Sequence, residues 1–361
     1  MPWRKCIVCC IHNTKLVKSD GLKRLKTVPV LVVSAAILLA VIIIGVGLGA
    51  VQIPATDIIK SIINYLRGFR GADQAGPWQT IIMQIRLPRV ILAAMAGSAL
   101  ATGGVCFQAV LRNPLADPFV IGVSAGAGLG AALGIALSEW LGSTGIALLP
   151  VFSFLGALLA TALVYGLSLK NRRVDVGRLL LAGVAVSSFL TALMSMLIVW
   201  RQQDMQKLVF WMMGSFSGRG WEHVQVTLPY LAAGLISAGL LAGRLNLLAL
   251  GEERAFYLGL RVEVFKAWAL LTGSLLAATA VSVSGVIGFV GLMIPHIVRL
   301  LVGPDHLILL PASALVGAAF LIAADIAARI IMPPIEIPIG ILTALSGTPF
   351  FLWLLRKRGQ Y

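Results

Sequence analysis

Charge is what this sequence has least of. Only 12% of its 361 residues are Asp, Glu, Lys or Arg, against about 25% in an ordinary soluble domain. Hydrophobic residues make up 59%, more apolar surface than a water-soluble fold can hide. Cysteine is scarce as well, with 4 in the chain. Cys6, Cys9 and Cys10 crowd together near the N-terminus, where His12 is the only nearby candidate for a fourth metal ligand. Cys106 lies inside an apolar run and reads as a small packing residue. No disulfide framework is implied. The phosphate cradle G-x-x-x-x-G-K-[ST] occurs nowhere, so ATP chemistry would have to reside on another chain. His12, His223, His296 and His306 are too scattered for a catalytic or metal cluster, and neither enzyme activity nor a resident cofactor is expected.

What the chain does have is a succession of charge-free stretches, each near the length of about 20 residues that spans a bilayer core. They cover 28–51, 90–111, 119–138, 140–169, 179–200, 224–243, 307–324 and 337–355. A further stretch, 267–298, is too long for one span and is interrupted by Gly285, Gly288 and Gly291, which divides it in two. The expectation is an all-α polytopic membrane protein of about ten transmembrane helices. Residues 1–27 form a basic leader and 28–361 one membrane domain. The first apolar run has the length of a full span, so it is expected to stay as an anchor rather than be cleaved.

The formal charge of +15 could suggest nucleic acid, but membrane proteins gather Lys and Arg on the cytoplasmic side. With both termini inside, 20 of the 29 Lys and Arg residues fall in inner segments, among them Lys170, Arg173, Arg254 and Lys266. That asymmetry sets the expected orientation. Arg86, Arg89 and Arg329 are exceptions on the outer side, and Asp325 stands four residues before Arg329, the spacing of a pair on one helix face. Ala55 to Tyr65 carries Ile58, Ile59, Ile62 and Ile63 at helical spacing, a pattern for a short helix lying on the membrane surface. Gly97-Ser98-Ala99-Leu100-Ala101 recurs approximately as Gly273-Ser274-Leu275-Leu276-Ala277. One such match does not establish an inverted repeat.

Few ionisable residues sit mid-span, which argues against a proton-coupled carrier, the leading rival reading. The inner loop 245–265 contains Gly251-Glu252-Glu253-Arg254-Ala255-Phe256-Tyr257-Leu258-Gly259. This resembles the E-A-A-x-x-x-G coupling motif of ATP-binding cassette importer permeases at Glu253, Ala255 and Gly259, with Arg254 departing from the middle alanine. Beside it stand Arg86-Leu87-Pro88-Arg89, Asn113-Pro114-Leu115-Ala116-Asp117-Pro118, Gly122-Val123-Ser124-Ala125-Gly126, Gly288-Phe289-Val290-Gly291-Leu292-Met293-Ile294-Pro295-His296 and Ala324-Asp325-Ile326-Ala327-Ala328-Arg329. Together, from Gln79 to Arg358, they resemble the FecCD family, permeases for iron-siderophores, haem and vitamin B12.

That resemblance implies the type II importer permease fold in a bacterial cytoplasmic membrane, with a second permease copy or paralogue across the translocation path. Its partners would be cytoplasmic ATPases, an extracytoplasmic binding protein and membrane lipid, with no nucleic acid. Iron-siderophore is the expected cargo, with haem or cobalamin as alternatives. The resemblance also assigns coupling to Gly251, Glu252, Glu253, Ala255 and Gly259, and binding-protein docking to Arg86, Arg89 and Arg329, each pointing into the outer water layer. The inner gate falls at Val176 and Gly177, where the family's small hydroxyl residues are missing. A path for a bulky chelate is expected to be lined by small and apolar side chains such as Ser187, Ser188, Met194 and Met196.

Overall fold

The computed structural model describes residues 29–49, 54, 56, 60, 77–141, 143–170 and 173–358. The cysteine-bearing leader lies outside the described residues, as does nearly all of the surface helix expected over 55–65. Among the described residues, seven helices are long and apolar enough to cross a membrane. They are α1 (Pro29–Gly47), α2 (Trp78–Val110), α4 (Ser143–Ser168, by its part Leu149–Ser168), α5 (Val176–Trp200), α7 (Trp221–Ala249), α9 (Val262–Ser284) and α11 (His306–Ile330). Three more are apolar over a shorter length: α3 (Val123–Leu141), α10 (Val290–Val302) and α12 (Ile339–Arg358). Two short helices, α6 (Met205–Met212) and α8 (Glu252–Tyr257), lie in connections. A small hairpin pairs β1 (Leu169–Lys170) with β2 (Arg173–Val174) ahead of α5.

The bundle is built around α2, whose apolar window is 83% buried, against 17% for α1 and for α5. It packs on α7, α9, α10 and α11. Between helices in lipid no hydrophobic force acts, so contact depends on small residues that let backbones meet. A Cβ at Gly97 would run into the backbone carbonyl of Gly317 in α11, and one at Gly104 into that of Gly291 in α10.

Several boundaries differ from the expected ones. α2 starts at Trp78 rather than Val90 and runs straight through Pro88. Proline lacks an N–H and clashes with the carbonyl four residues back. The helix accommodates it by a π turn over Ile81–Arg86, where the N–H of Leu87 reaches back five residues to Ile82 O. α11 continues beyond Ala324 through Asp325 and Arg329, because these charges are paired. The break between α9 and α10 falls at 285–289, where Gly285 and Phe289 both have positive φ, 71° and 68°.

Candidate functional site

The arginine-rich end of the bundle holds a buried ionic cluster. Arg86, Arg89 and Arg329 are 6%, 8% and 6% exposed and Asp325 is 0% exposed, so the expectation that the three guanidiniums point into water is corrected. Each is turned inward. Arg89 grips two carboxylates: Nη2 lies 2.9 Å from Asp325 Oδ1, and Nη1 and Nη2 donate to Glu336 Oε1 and Oε2 at 2.8 and 3.0 Å. Arg329 Nε reaches Asp325 Oδ2 at 3.1 Å, so the expected i,i+4 pair is present but shared. Glu336 lies in the connection between α11 and α12 and is the exposed member, its side chain 38% accessible. Burial works against its charge, yet the hydrogen bonds and charge of Arg89 outweigh that and hold the carboxyl below its ordinary value.

The remaining donors go to a helix end. The last carbonyls of an α-helix have no partner within the helix, and at the end of α1 arginines supply them. Arg86 Nη1 donates to Val46 O at 3.0 Å and Gly47 O at 2.6 Å, while Arg329 donates to Leu48 O at 2.9 Å and Gly45 O at 3.1 Å. Three guanidiniums against two carboxylates leave one positive charge, which faces the roughly half-unit negative end of the α1 dipole. Arg86 and Arg329 therefore clamp α1 to α2 and α11. Glu336 was missed from sequence, although as the only acid between α11 and α12 it was the obvious counter-charge for an arginine-rich end.

At the opposite end, the expected loop 245–265 is mostly helical: α7 runs on to Ala249, α8 follows, and α9 begins at Val262. Gly251 and Gly259 flank α8 at φ 114° and 86°, a region that favours glycine. Ala255 is fully buried, and Phe256, Tyr257 and Leu258 project at 67%, 85% and 60% exposure. Glu253 is exposed. Glu252 receives Lys266 Nζ at 2.7 Å and Arg112 Nη2 at 3.5 Å. Lys266, at 2% exposure, also reaches Glu263 Oε1 at 3.3 Å. Glu263 Oε2 accepts from Val174 N at 2.7 Å on β2. Asp175 then caps α5, accepting from Arg178 N at 2.8 Å. Val176 is half-buried and Gly177 exposed at the first turn of α5. Polar contacts thus join α8 to β2, from which the chain passes directly through Asp175 into α5.

Of the four side chains expected along a path, Ser188 and Met196 are exposed on α5 and Ser187 is half-buried. Met194 instead packs inward against Gly128. A separate apolar cleft of about 590 Å³ is walled by residues including Met212, Met213, Phe289, Ile341 and Leu345.

Comparison with known proteins adds family and fold. The model of the FecCD transport family matches residues 37–357. The cobalamin import system permease protein BtuC of Halobacterium salinarum is 45% identical over 78% of this chain and 74% of its own length. The Fe(3+)-citrate import system permease protein YfmE of Bacillus subtilis is 37% identical over 94% of this chain and 98% of its own. A solved structure, described as an inward-facing conformation of an ABC transporter assigned to the metal-chelate type, superposes with a TM-score of 0.77 at 34% identity. It covers 91% of this chain and 99% of that one.

Proposed function

The chain belongs to the FecCD transport family, and from that premise we propose that it is the membrane-spanning permease of an ATP-binding cassette importer for iron chelates. The observation that carries the reading is the α8 element. A short helix is pinned at its base by Glu252 and Ala255 and presents three exposed apolar side chains between two left-handed glycines. Such a knob can be pressed without unravelling. In this reading it seats in a separate cytoplasmic ATPase, and Gly251, Glu252, Glu253, Ala255 and Gly259 carry the coupling. The push is passed through Lys266, Glu263 and β2 to Val176 and Gly177, the proposed inner gate. The relatives named for Fe(3+)-citrate and haemin support the iron-chelate class, and those named for cobalamin mark the alternative.

The path is proposed to run between two permease chains, with lipid around the pair and both termini in the cytoplasm. The extracytoplasmic binding protein is proposed to dock at the arginine-rich end. There Arg89 is the arginine with an accessible ionic partner, Glu336, which an incoming carboxylate can displace. Arg86 and Arg329, engaged with the α1 carbonyls, would support docking by holding that surface in shape.

Two experiments test this. Reconstituted with its ATPase and binding protein, the permease should take up radioactive iron as ferric citrate or a ferric hydroxamate only when ATP is supplied. Uptake driven by a pH gradient without the ATPase would instead identify a secondary carrier. For orientation, single cysteines are introduced after the four native ones are replaced. Cysteines at Lys170 and Arg254 should resist an impermeant thiol reagent in intact cells, whereas one at Gln203 should react. Labelling of Arg254→Cys from outside would invert the topology.

A further inference from the structure

Beside the ionic cluster lies a second polar feature that the coupling and docking assignments leave unused. A cavity of about 360 Å³ sits between the connection from α6 to α7 and the start of α12, with Trp211, Ser215, Ser217, Arg219, Ser284 and Glu336 among its walls. Arg219 is a charged group without a counter-charge: it is in no ion pair among the described residues. Its Nη1 donates to His223 Nε2 at 3.0 Å. His223 Nδ1 lies 3.4 Å from Gly220 N and 3.4 Å from Glu222 Oε1. Burial lowers the guanidinium from its ordinary value. Two donors in this wall, Arg219 Nε and Trp211 Nε1, are buried and meet no acceptor. Each unmet buried donor is costly, more so on a charged group.

We propose that this cavity is an anion-recognition site, taking a carboxylate of an acidic metal chelate on the Arg219 guanidinium with the Trp211 indole N–H as second donor. Water can accept hydrogen bonds from both groups but brings no charge to the half-buried Arg219 cation. The carboxylate in the wall, Glu336, does not fill the role, because it is drawn onto Arg89 and forms no ion pair with Arg219 among the described residues. The hydroxyls of Ser215, Ser217 and Ser284 stand in the same wall, yet none is within hydrogen-bond reach of Arg219 Nε or Trp211 Nε1. The cavity adjoins the apolar cleft. Gly340 N donates to Met213 O at 3.0 Å and Ser215 N to Ser284 O at 2.8 Å, so a single backbone seam separates polar walls from apolar ones. A chelate held by its carboxylate at this seam has its less polar side toward the cleft.

The identity of the anion rests on the importer reading, whereas the existence of the site does not. The test therefore begins without transport. Full-length permease in nanodiscs is titrated with radiolabelled citrate and with ferric citrate, and with a neutral ferric hydroxamate as control. Both citrate probes should bind saturably. Arg219→Gln should weaken them about tenfold or more, Arg219→Lys should recover part of the loss, and hydroxamate binding should not change. Trp211→Phe keeps the ring packing and removes only the N–H, so it decides the matter should Arg219→Gln fail to fold. It should weaken citrate about threefold or more. Because no binding protein is present, saturable citrate binding also separates a small-molecule site from one that receives a protein carboxylate. Absence of citrate binding, or binding indifferent to these substitutions, overturns the proposal. Arg219-dependent binding in a permease that shows no ATP-driven uptake would leave the anion site standing and sink the importer reading.

Discussion

Asp325→Ala is expected to destabilise the folded permease by about 3–5 kcal/mol, the cost of removing one partner from a buried ion pair. The carboxylate is completely inaccessible and serves two arginines at once. Its loss leaves Arg89 held only by the half-exposed Glu336, and leaves Arg329 with carbonyls alone for acceptors. Denaturant titration in detergent should show a lowered midpoint and earlier proteolysis of α1. Replacing both partners by apolar residues, Arg89→Met with Asp325→Leu, should cost less than Asp325→Ala alone, since Arg89 is then no longer stranded and only Arg329 is left without its buried carboxylate. A midpoint unchanged in Asp325→Ala would mean that water already reaches the cluster.

Gly259→Val should abolish most ATP-driven uptake, by tenfold or more, while the protein still inserts and folds. Leu260 N donates to Ala255 O at 3.0 Å and Gly259 N to Phe256 O at 2.9 Å, the paired bonds that close a helix through a left-handed residue. At φ 86° a β-branched side chain is disfavoured by roughly 1–2 kcal/mol or more. No atom lies within 4 Å of the position of a Cβ there, so the effect comes from the backbone and not from collision. Gly259→Asn should consequently retain most uptake, because asparagine tolerates this conformation. If Asn and Val are equally harmful, the turn matters for some reason other than its handedness.

The number of helices, their approximate places and the division of 267–298 were legible because each rests on runs of apolar residues, and such runs survive in a one-dimensional reading. The helix ends were less so. A charge in the sequence looked like the edge of a span, yet Arg86, Arg89, Asp325 and Arg329 all lie within helices, since each finds its counter-group on another part of the chain. The pair Asp325–Arg329 could be read from its spacing. The carbonyls of Gly45 to Leu48 could not, because they meet their arginines only by folding across separations of up to 284 residues; Glu336 offered a compositional hint as the one acid between α11 and α12, but nothing local tied it to Arg89. At the other end the motif lay in nine consecutive residues, so the resemblance could place Gly251 and Gly259 from local sequence, and positive φ at both is a property glycine brings by itself. Lys266 was passed over as ordinary inner positive charge, when its burial between Glu252 and Glu263 makes it the hinge-pin of that end.

The clamp on α1 also bears on how the protein is made. During synthesis α1 leaves the ribosome before α2, and Arg86 follows soon after to take Val46 and Gly47. Gly45 and Leu48 wait for Arg329, 284 and 281 residues farther along. α1 is therefore made before its last fastening exists, and until α11 arrives it must be kept in place by lipid, by Arg86 and by whatever machinery attends insertion.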